Sequence, residues 1–151
     1  KFKGLPFRST IIFENKKLKI INNSKSTNLN STTNSIKSYD NIYLIMGGIA
    51  KERNFETILN YRDKIICVYL FGKSSLFIQN KLKNSLNVKT FKNLKLVVNQ
   101  IFKDINKNNF KSNILFAPAC TSFDQYKNFE QRGEEFNRLI KKIFFYDEIH
   151  N

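Results

Sequence analysis

The sequence is poor in the residues from which metal centres and disulfide frameworks are built. Its 151 residues contain one histidine, two cysteines and no tryptophan. The cysteines, Cys67 and Cys120, have no partner at CxxC spacing, and His150 lies in the C-terminal tail. Because no cluster of His, Cys, Asp and Glu has ligand spacing, we predict no metal site in this chain. We expect both thiols to stay reduced, as in a cytosolic protein.

Several longer signals are missing as well. No apolar run is long enough to cross a membrane, and the basic N-terminus lacks the apolar stretch of a signal peptide. We therefore expect a cytoplasmic protein without membrane contact. A GxxxxGK[ST] loop is also missing, since Gly-Gly-Ile-Ala-Lys at 47–51 does not fit it. Any nucleoside triphosphate must then obtain its phosphate loop from elsewhere, and no nucleophile–base pair is apparent.

Acidic residues are scarce in this chain. Twelve Asp and Glu stand against 26 Lys and Arg, which gives a net charge of +14 and a pI of about 9.9. A nucleic-acid partner is one interpretation of this charge. The lysines are scattered, however, and abundant Lys, Asn, Ile and Phe are typical of an A+T-rich coding background. We favour the compositional interpretation, and an anionic ligand is compatible with both.

The sequence does contain a regular alternation of apolar runs and amphipathic segments. Short runs at 11–13 and 18–21, with Asn15 between them, predict a β-hairpin. Near-continuous apolar runs predict buried strands at 42–46, 65–71 and 114–116, and a short strand is expected at Val88. Helices are predicted from near Asn28 to 37 and at 54–59, 74–83, 92–107 and 130–145, with caps at Asn54 and at Ser74 or Ser75. This pattern predicts an α/β, Rossmann-like fold with a mostly parallel sheet, helices on both faces and an N-terminal β-hairpin.

Polar turns follow three of the predicted strands, at 22–28, 47–53 and 117–128. In an open α/β sheet these turns share the carboxyl edge, where ligands bind. Each turn offers groups suited to anions, such as Lys25, Lys51 and the hydroxyl of Ser122. Helix capping alone explains any single turn. The convergence of all three therefore predicts a site for an anionic ligand.

A set of motifs covers nearly the whole chain. They are GLPFR at 4–8, INNSKSTN at 21–28, Gly-Gly at 47–48 with Lys51, Phe-Gly at 71–72 and PACTSFDQYKNFEQRG at 118–133. In these motifs, and in their order, the chain resembles the C-terminal domain of the Mur ligases, most closely the members that add D-glutamate. The last motif is long and distinctive. The Asp-Asn-Pro-Arg motif of the members that add diaminopimelate or lysine is absent.

The resemblance implies an ATP-dependent ligase of peptidoglycan precursor synthesis. In that reaction the amine of D-glutamate attacks an acyl phosphate made from UDP-N-acetylmuramoyl-L-alanine. The implied cofactors are ATP and Mg²⁺, with the phosphate loop and the Mg²⁺ ligands in a central domain that this chain lacks. Residues 1–9 are then a lead-in from that central domain, 10–146 the amino-acid-binding domain and 147–151 a frayed tail. The implied partners are the two substrates and the N-terminal and central domains of the same enzyme, as a monomer without nucleic acid.

The resemblance also implies a role for three residues near the nucleotide. Arg8 matches an arginine that reaches the ATP phosphates, and Lys25 matches a lysine close to the reacting centre, which makes it the candidate catalytic residue. Asn23 stands where the family has a nucleotide-contacting Asp, so a hydrogen-bond acceptor remains but its charge is lost. A milder departure is Phe7 in place of the usual His.

Five residues match positions that hold D-glutamate. Thr27 and Lys51 correspond to groups that bind the side-chain carboxylate, Ser122 and Phe129 to groups near the α-carboxylate, and Phe123 to a wall of the pocket. Two carboxylates need cationic and amide donors, which these motifs provide.

Two alternatives remain open at this point. The chain could be the corresponding domain of another Mur ligase or of a folylpolyglutamate synthase, which would keep the chemistry and change the amino acid. A basic nucleic-acid-binding domain belongs to a different class, and no aromatic–basic motif supports it.

Overall fold

The apolar runs form the strands of one six-stranded sheet in the computed structural model, which describes residues 6–145. The strands are β1 Thr10–Glu14, β2 Leu18–Asn22, β3 Ile42–Gly47, β4 Ile65–Phe71, β5 Val88–Phe91 and β6 Ser112–Phe116. Their order across the sheet is β1-β2-β6-β3-β4-β5. β1 is antiparallel to β2, and all other pairs are parallel. The predicted fold class, including the N-terminal hairpin, is confirmed.

Helices cover both faces of this sheet. They are α1 Leu29–Ile36, α2 Ser75–Leu82, α3 Leu94–Ile105 and α4 Phe129–Ile140, with a 3-10 helix at Phe55–Lys64 and a π-helical turn at Lys141–Phe145. One apolar cluster joins the sheet to α1, the 3-10 helix and α2. A second cluster joins the opposite face to α3 and α4. Two separate apolar layers therefore enclose the sheet.

β3 lies at the centre of the core, and every residue from Ile42 to Gly47 is buried. Leu44 and Met46 pack into one apolar layer, and Tyr43 and Ile45 into the other. This two-sided burial explains why the strand is a continuous apolar run rather than an alternating one. Each fully buried side chain of this kind stabilises the fold by about 1.5–3 kcal/mol.

The predicted helix start near Asn28 is confirmed, whereas the predicted caps are not. The side chain of Asn28 accepts a hydrogen bond from the Ser31 amide at 2.9 Å, as a cap should. The predicted cap at Asn54 is wrong, because its side chain makes no capping bond and the segment that follows is a 3-10 helix. Ser74 precedes α2 without capping it. Its hydroxyl instead accepts the Ala50 amide at 2.9 Å, because the loop after β3 passes close by.

The order of the strands brings the three polar turns together. The chain moves outward from β3 to β5 and then returns, so that β6 lies between β2 and β3. The turns after β2 and β3 lead to helices on one face, whereas the turn after β6 leads to α4 on the other. Such a topological switch point opens a crevice at the carboxyl edge of a sheet. The predictions for 1–5 and 146–151 fall outside the described residues.

Candidate functional site

Three loops build the crevice: loop A at 23–28 after β2, loop B at 48–54 after β3, and loop C at 117–128 after β6. Loop C lies between the other two. Its Ala119 amide donates to the Ser26 carbonyl of loop A at 2.9 Å. On its other side Thr121 and Ile49 of loop B exchange two backbone hydrogen bonds, each of 3.0 Å. The three turns therefore lie together as predicted, and backbone hydrogen bonds join loop C to both of the others.

Arg132 on α4 fastens loop A to loop C. Its side chain is fully buried, with 0% exposure. Nη2 donates to the Ser24 carbonyl at 2.7 Å and Nε to the Ser24 hydroxyl at 3.1 Å, while Nη1 donates to the Cys120 carbonyl at 2.9 Å. Within residues 6–145 no carboxylate forms an ion pair with this guanidinium. Burial lowers the pKa of Arg132 to about 10, which reflects the free energy needed to desolvate the charge.

Our sequence analysis did not single out Arg132, although one signal was present. Arg132 precedes Phe136 by one helical turn and Leu139 by two, so it falls on the apolar stripe of α4. An arginine on a buried stripe is rare unless its donors are satisfied. The position in the helix thus indicates a buried structural arginine. Its partners could not be predicted in this way, because the oxygens that it binds belong to distant segments of the chain.

Glycines let the loops approach each other closely. Gly48 has φ +128°, and a Cβ there would lie 2.0 Å from the Thr121 carbonyl oxygen. Gly72, after β4, has φ +88°, and its Cβ would lie 2.7 Å from Oδ2 of Asp124 in loop C. That oxygen accepts the Lys73 amide at 2.9 Å. Loop C is thus held against the ends of two neighbouring strands.

Lys25, the candidate catalytic residue, lies beside α4. Its Nζ is 4.4 Å from the centre of the Phe129 ring, a cation–π distance. Its backbone amide donates to the Phe7 carbonyl at 3.0 Å. The neighbouring Ser24 hydroxyl donates to the Phe129 carbonyl at 2.7 Å. The structure therefore brings Lys25 and Phe129 together.

Asn23, the departure from the family pattern, is buried and bonded at both ends of its amide. Its Oδ1 accepts the Ser9 amide at 3.2 Å, and its Nδ2 donates to the Ser35 hydroxyl at 2.7 Å. The side chain is thus held in place by hydrogen bonds at both ends of its amide group. This neutral network replaces the charged group of the family pattern.

Two of the clefts at this end of the molecule are lined in part by loop A. The larger, of about 650 Å³, is lined by hydroxyls and amides together with Arg8, Asn23, Lys25 and Thr27. None of its described lining residues is acidic. The smaller, of about 220 Å³, is lined by Arg8, Lys25, Phe129, Pro6 and Glu130. Arg8 and Lys25 border both clefts.

Lys51 lies outside both clefts, as an exposed residue of loop B. Its neighbour Glu52 joins loop B to the start of α1, because Oε1 of Glu52 accepts the Leu29 amide at 2.8 Å. Leu29 begins α1, two residues after Thr27. Glu52 is a second residue that our sequence analysis missed, since no local pattern relates it to a helix start 23 positions away.

Ser122 and Phe123 occupy the tip of loop C. Ser122 is buried, and its carbonyl accepts the amides of Gln125 and Tyr126 in a tight turn. Phe123 is 67% exposed. Neither residue lines the two clefts, so their grouping with Thr27 and Lys51 around one ligand stays a prediction.

The described residues do not fit a Mg²⁺ site. Residues 6–145 contain no group of three or more His, Cys, Asp and Glu that could hold a metal ion, and the clefts carry two cations and one carboxylate. The cysteines are buried, and burial raises the pKa of Cys120 to about 12, which disfavours a nucleophilic thiolate. No helix among the described residues is long and apolar enough to span a membrane.

Curated relatives resemble the chain over nearly its whole length. UDP-N-acetylmuramoylalanine–D-glutamate ligases from Rickettsia bellii, Prochlorococcus marinus MIT 9312 and Hydrogenobaculum are 41%, 38% and 37% identical to it. The matches cover 94%, 93% and 95% of this chain and 32%, 31% and 34% of those proteins, in their C-terminal part. The chain thus spans about a third of the length of these relatives. No protein-family model matches it.

A solved structure supports the same assignment of the fold. The UDP-N-acetylmuramate–alanine ligase of Thermotoga maritima matches 93% of this chain with 31% of its own length, at a TM-score of 0.61 and 13% identity. At that identity the likeness concerns the fold alone. The predicted resemblance is confirmed: over nearly all its length this chain is similar to the C-terminal domain of the Mur ligases, most closely to that of the D-glutamate-adding members.

Proposed function

We propose that this chain is the amino-acid-binding domain of an ATP-dependent ligase that joins D-glutamate to UDP-N-acetylmuramoyl-L-alanine. The observation that carries the proposal is the pair of cations, Arg8 and Lys25, which borders two adjacent clefts beside loop A. Two anionic reactants can approach this pair from opposite sides. The curated relatives that match the chain bear the name of this activity.

The reaction has two steps. The alanyl carboxylate attacks the γ-phosphorus of ATP, which forms an acyl phosphate and releases ADP. The free amine of D-glutamate then attacks the acyl carbon, an amide bond forms, and the C–O bond to phosphate breaks. The amine loses a proton to solvent or a base, and inorganic phosphate leaves. The central domain of the enzyme supplies the phosphate loop and the Mg²⁺ ligands.

The chain's own residues bind and orient the reactants. Arg8 and Lys25 offset the negative charge of the phosphates in the larger cleft, whose hydroxyls and amides also fit a ribose. Lys25 also lines the smaller cleft. We expect its ammonium to stabilise the acyl phosphate while the amine attacks. Each charge-assisted hydrogen bond contributes about 1.5–3 kcal/mol when water is excluded.

D-Glutamate binds along loops A, B and C. Thr27 and Lys51 hold its side-chain carboxylate, and Ser122 and Phe129 lie near its α-carboxylate, with Phe123 against the carbon chain. Because Lys51 and Phe123 are exposed in this structure, the pocket is completed when the substrate or the other domains cover this edge. Closure also protects the acyl phosphate from hydrolysis.

Binding of D-glutamate to the isolated chain tests the proposal. In the ¹⁵N-labelled chain, we expect D-glutamate to shift the amide resonances of Thr27, Lys51 and Ser122, and L-glutamate to leave them unchanged. A response confined to lysine or diaminopimelate would assign the domain to another Mur ligase. A response to L-glutamate alone would favour a folylpolyglutamate synthase. We also expect no ATP hydrolysis by the isolated chain, and robust hydrolysis would contradict the proposed division of labour.

A further inference from the structure

The segment 6–9, which we call the lead-in strap, is fastened between loop A and α4. On the side of loop A, the Phe7 carbonyl accepts the Lys25 amide at 3.0 Å, and the Ser9 amide donates to Oδ1 of Asn23 at 3.2 Å. On the side of α4, the Phe7 ring lies on Gly133. The strap therefore has a defined seat on the domain.

The backbone of the strap is held in an unfavourable conformation. Phe7 has φ +63° and Ser9 has φ +50°, both in the left-handed region that side chains other than glycine rarely adopt. Such angles persist where surrounding contacts over-determine them. Here the contacts of Phe7 and Ser9 fix the backbone on both sides of Arg8, which borders the two clefts.

Gly133 explains how the ring is accommodated. A Cβ added at Gly133 would lie 2.5 Å from Cδ1 and 2.6 Å from Cγ of the Phe7 ring, closer than carbon atoms can approach. Gly133 lies inside α4, where alanine stabilises a helix more than glycine does. Its backbone angle is not left-handed. Glycine at this position therefore makes room for the Phe7 ring, and its backbone conformation does not require a glycine.

We propose that Gly133 is the receptor for the Phe7 ring, and that this contact positions Arg8 between the two clefts. Phe7 and Gly133 are positioning residues, since neither lines the two clefts that Arg8 borders. The position of the strap follows from the contacts described above. The idea that the strap positions Arg8 against nucleotide phosphates rests on the proposed function.

The seat can be tested in the isolated chain with Gly133→Ala and Phe7→Ala. Amide hydrogen exchange of Lys25 reports the bond to Phe7, and the amide of Ser26, which donates to the Asn23 carbonyl at 2.9 Å, is the reference within the same loop. We expect Lys25 exchange to become at least about tenfold faster in both variants while Ser26 is unchanged. In the double variant the Lys25 amide should exchange no faster than in the faster single variant, because both changes remove the same contact between the Phe7 ring and Gly133.

Matched controls separate this effect from helix propensity and from loss of a ring. Glu134→Ala changes an exposed position of the same helix, and Phe110→Ala removes a half-exposed ring. Neither should affect Lys25 exchange. We expect the melting temperature of Gly133→Ala to stay within about 3 °C of the parent or to rise, because alanine favours the helix. Unchanged Lys25 exchange in Gly133→Ala, or equal acceleration at Ser26, would overturn the proposed seat.

Titration with inorganic pyrophosphate at low ionic strength tests the consequence for Arg8. We expect Arg8→Ala to weaken binding by about fivefold to twentyfold, and Gly133→Ala to weaken it to a similar extent. If Arg8→Ala weakens binding and Gly133→Ala does not, the positioning of Arg8 by the strap is wrong. If Arg8→Ala has no effect, the phosphate contact in the proposed function is wrong, and with it the role of the strap in positioning Arg8.

Discussion

Arg132 and Ser24 are joined by two hydrogen bonds, one to the Ser24 carbonyl at 2.7 Å and one to its hydroxyl at 3.1 Å. The same guanidinium binds the Cys120 carbonyl at 2.9 Å. Ser24 immediately precedes Lys25, and Cys120 immediately precedes Thr121. A buried cation without a described acidic partner therefore sets the distance between the candidate catalytic lysine and the tip of loop C.

Replacing Arg132 with lysine should destabilise the domain strongly. One ammonium group cannot reach all three oxygens, and each buried acceptor left without a partner costs about 1–3 kcal/mol. We expect Arg132→Lys to lower the free energy of unfolding by about 2–4 kcal/mol, measured by urea denaturation. Arg138→Lys is the matched control, because Arg138 lies on the same helix, is exposed and pairs with Glu135. That control should change stability by less than about 0.5 kcal/mol. An equally small effect at Arg132 would contradict the stabilising role of its three hydrogen bonds between loops A and C.

Restoring the carboxylate of the family pattern at Asn23 should be tolerated. An aspartate can accept the Ser9 amide at one oxygen and, after the hydroxyl rotates, the Ser35 hydroxyl at the other. We expect Asn23→Asp to change the free energy of unfolding by less than about 1 kcal/mol. Because its cleft contains Arg8 and Lys25 and no described acidic residue, the new charge is compensated.

In a ligase that contains this domain, the same change should improve the use of ATP. A hydrogen bond from a ribose hydroxyl to a carboxylate is about 1 kcal/mol stronger than one to an amide. We expect kcat/KM for ATP to rise about fivefold, with KM for D-glutamate unchanged. Asn34→Asp, which places a charge elsewhere on the same cleft lining, is the control. A fall in kcat/KM for ATP would indicate that repulsion of the phosphates dominates at position 23.

Removing the charge of Lys51 should weaken binding of D-glutamate. If Lys51 binds the side-chain carboxylate, its loss removes one charge-assisted hydrogen bond, worth about 1.5–3 kcal/mol. In a full-length enzyme we expect Lys51→Ala to raise KM for D-glutamate by about 10-fold to 100-fold, while KM for ATP stays within about twofold. Lys73→Ala, another exposed lysine after a strand of the sheet, should leave both values unchanged. An unchanged KM for D-glutamate in Lys51→Ala means that the pocket lies elsewhere.

Stability at low pH should depend on Asp104 of α3. Burial raises the pKa of its carboxyl, but hydrogen bonds from Lys89, Tyr69 and Gln100, of 2.8, 2.6 and 2.9 Å, outweigh burial and leave the pKa below its ordinary 3.8. A carboxyl with a lower pKa in the folded state contributes stability above the unfolded pKa. It loses that contribution as the pH falls through the folded pKa.

We therefore expect Asp104→Asn to cost about 1–3 kcal/mol at pH 7, and the gap between parent and variant to close below about pH 4. Urea denaturation at several pH values measures both. Asp63→Asn is the control, since Asp63 is exposed, and its gap should be small at every pH. A gap for Asp104→Asn that persists unchanged at pH 2.5 would show that the carboxylate charge is not what stabilises this network.

The elements that sequence reasoning located are those encoded by local patterns. β3 was visible as an apolar run, and α1 was marked by Asn28, which caps it. The convergence of the three loops followed from a general rule of parallel sheets rather than from any residue in them. The roles proposed for Lys25 and Thr27 needed the family resemblance, because a lysine and a threonine after a strand have no distinctive spacing.

The contacts that sequence reasoning missed join residues far apart in the chain. Arg132 and Ser24 are 108 positions apart, and Ser74 and Ala50 are 24 apart. A hydrogen bond of this kind depends on how loops pass each other after the sheet has formed. The same dependence explains the wrong prediction of a helix cap at Ser74. Its hydroxyl accepts the amide of Ala50 in loop B and makes no capping bond to α2.

The burial of both cysteines has a practical consequence. Cys67 and Cys120 are the only thiols in the sequence, and both are enclosed by the core. Burial raises the pKa values of both, so at neutral pH neither presents an accessible thiolate to a maleimide. A cysteine introduced at the exposed Phe123 would be labelled selectively without removal of the native ones. A fluorophore there would report directly when this edge of the sheet is covered by a ligand or by another domain.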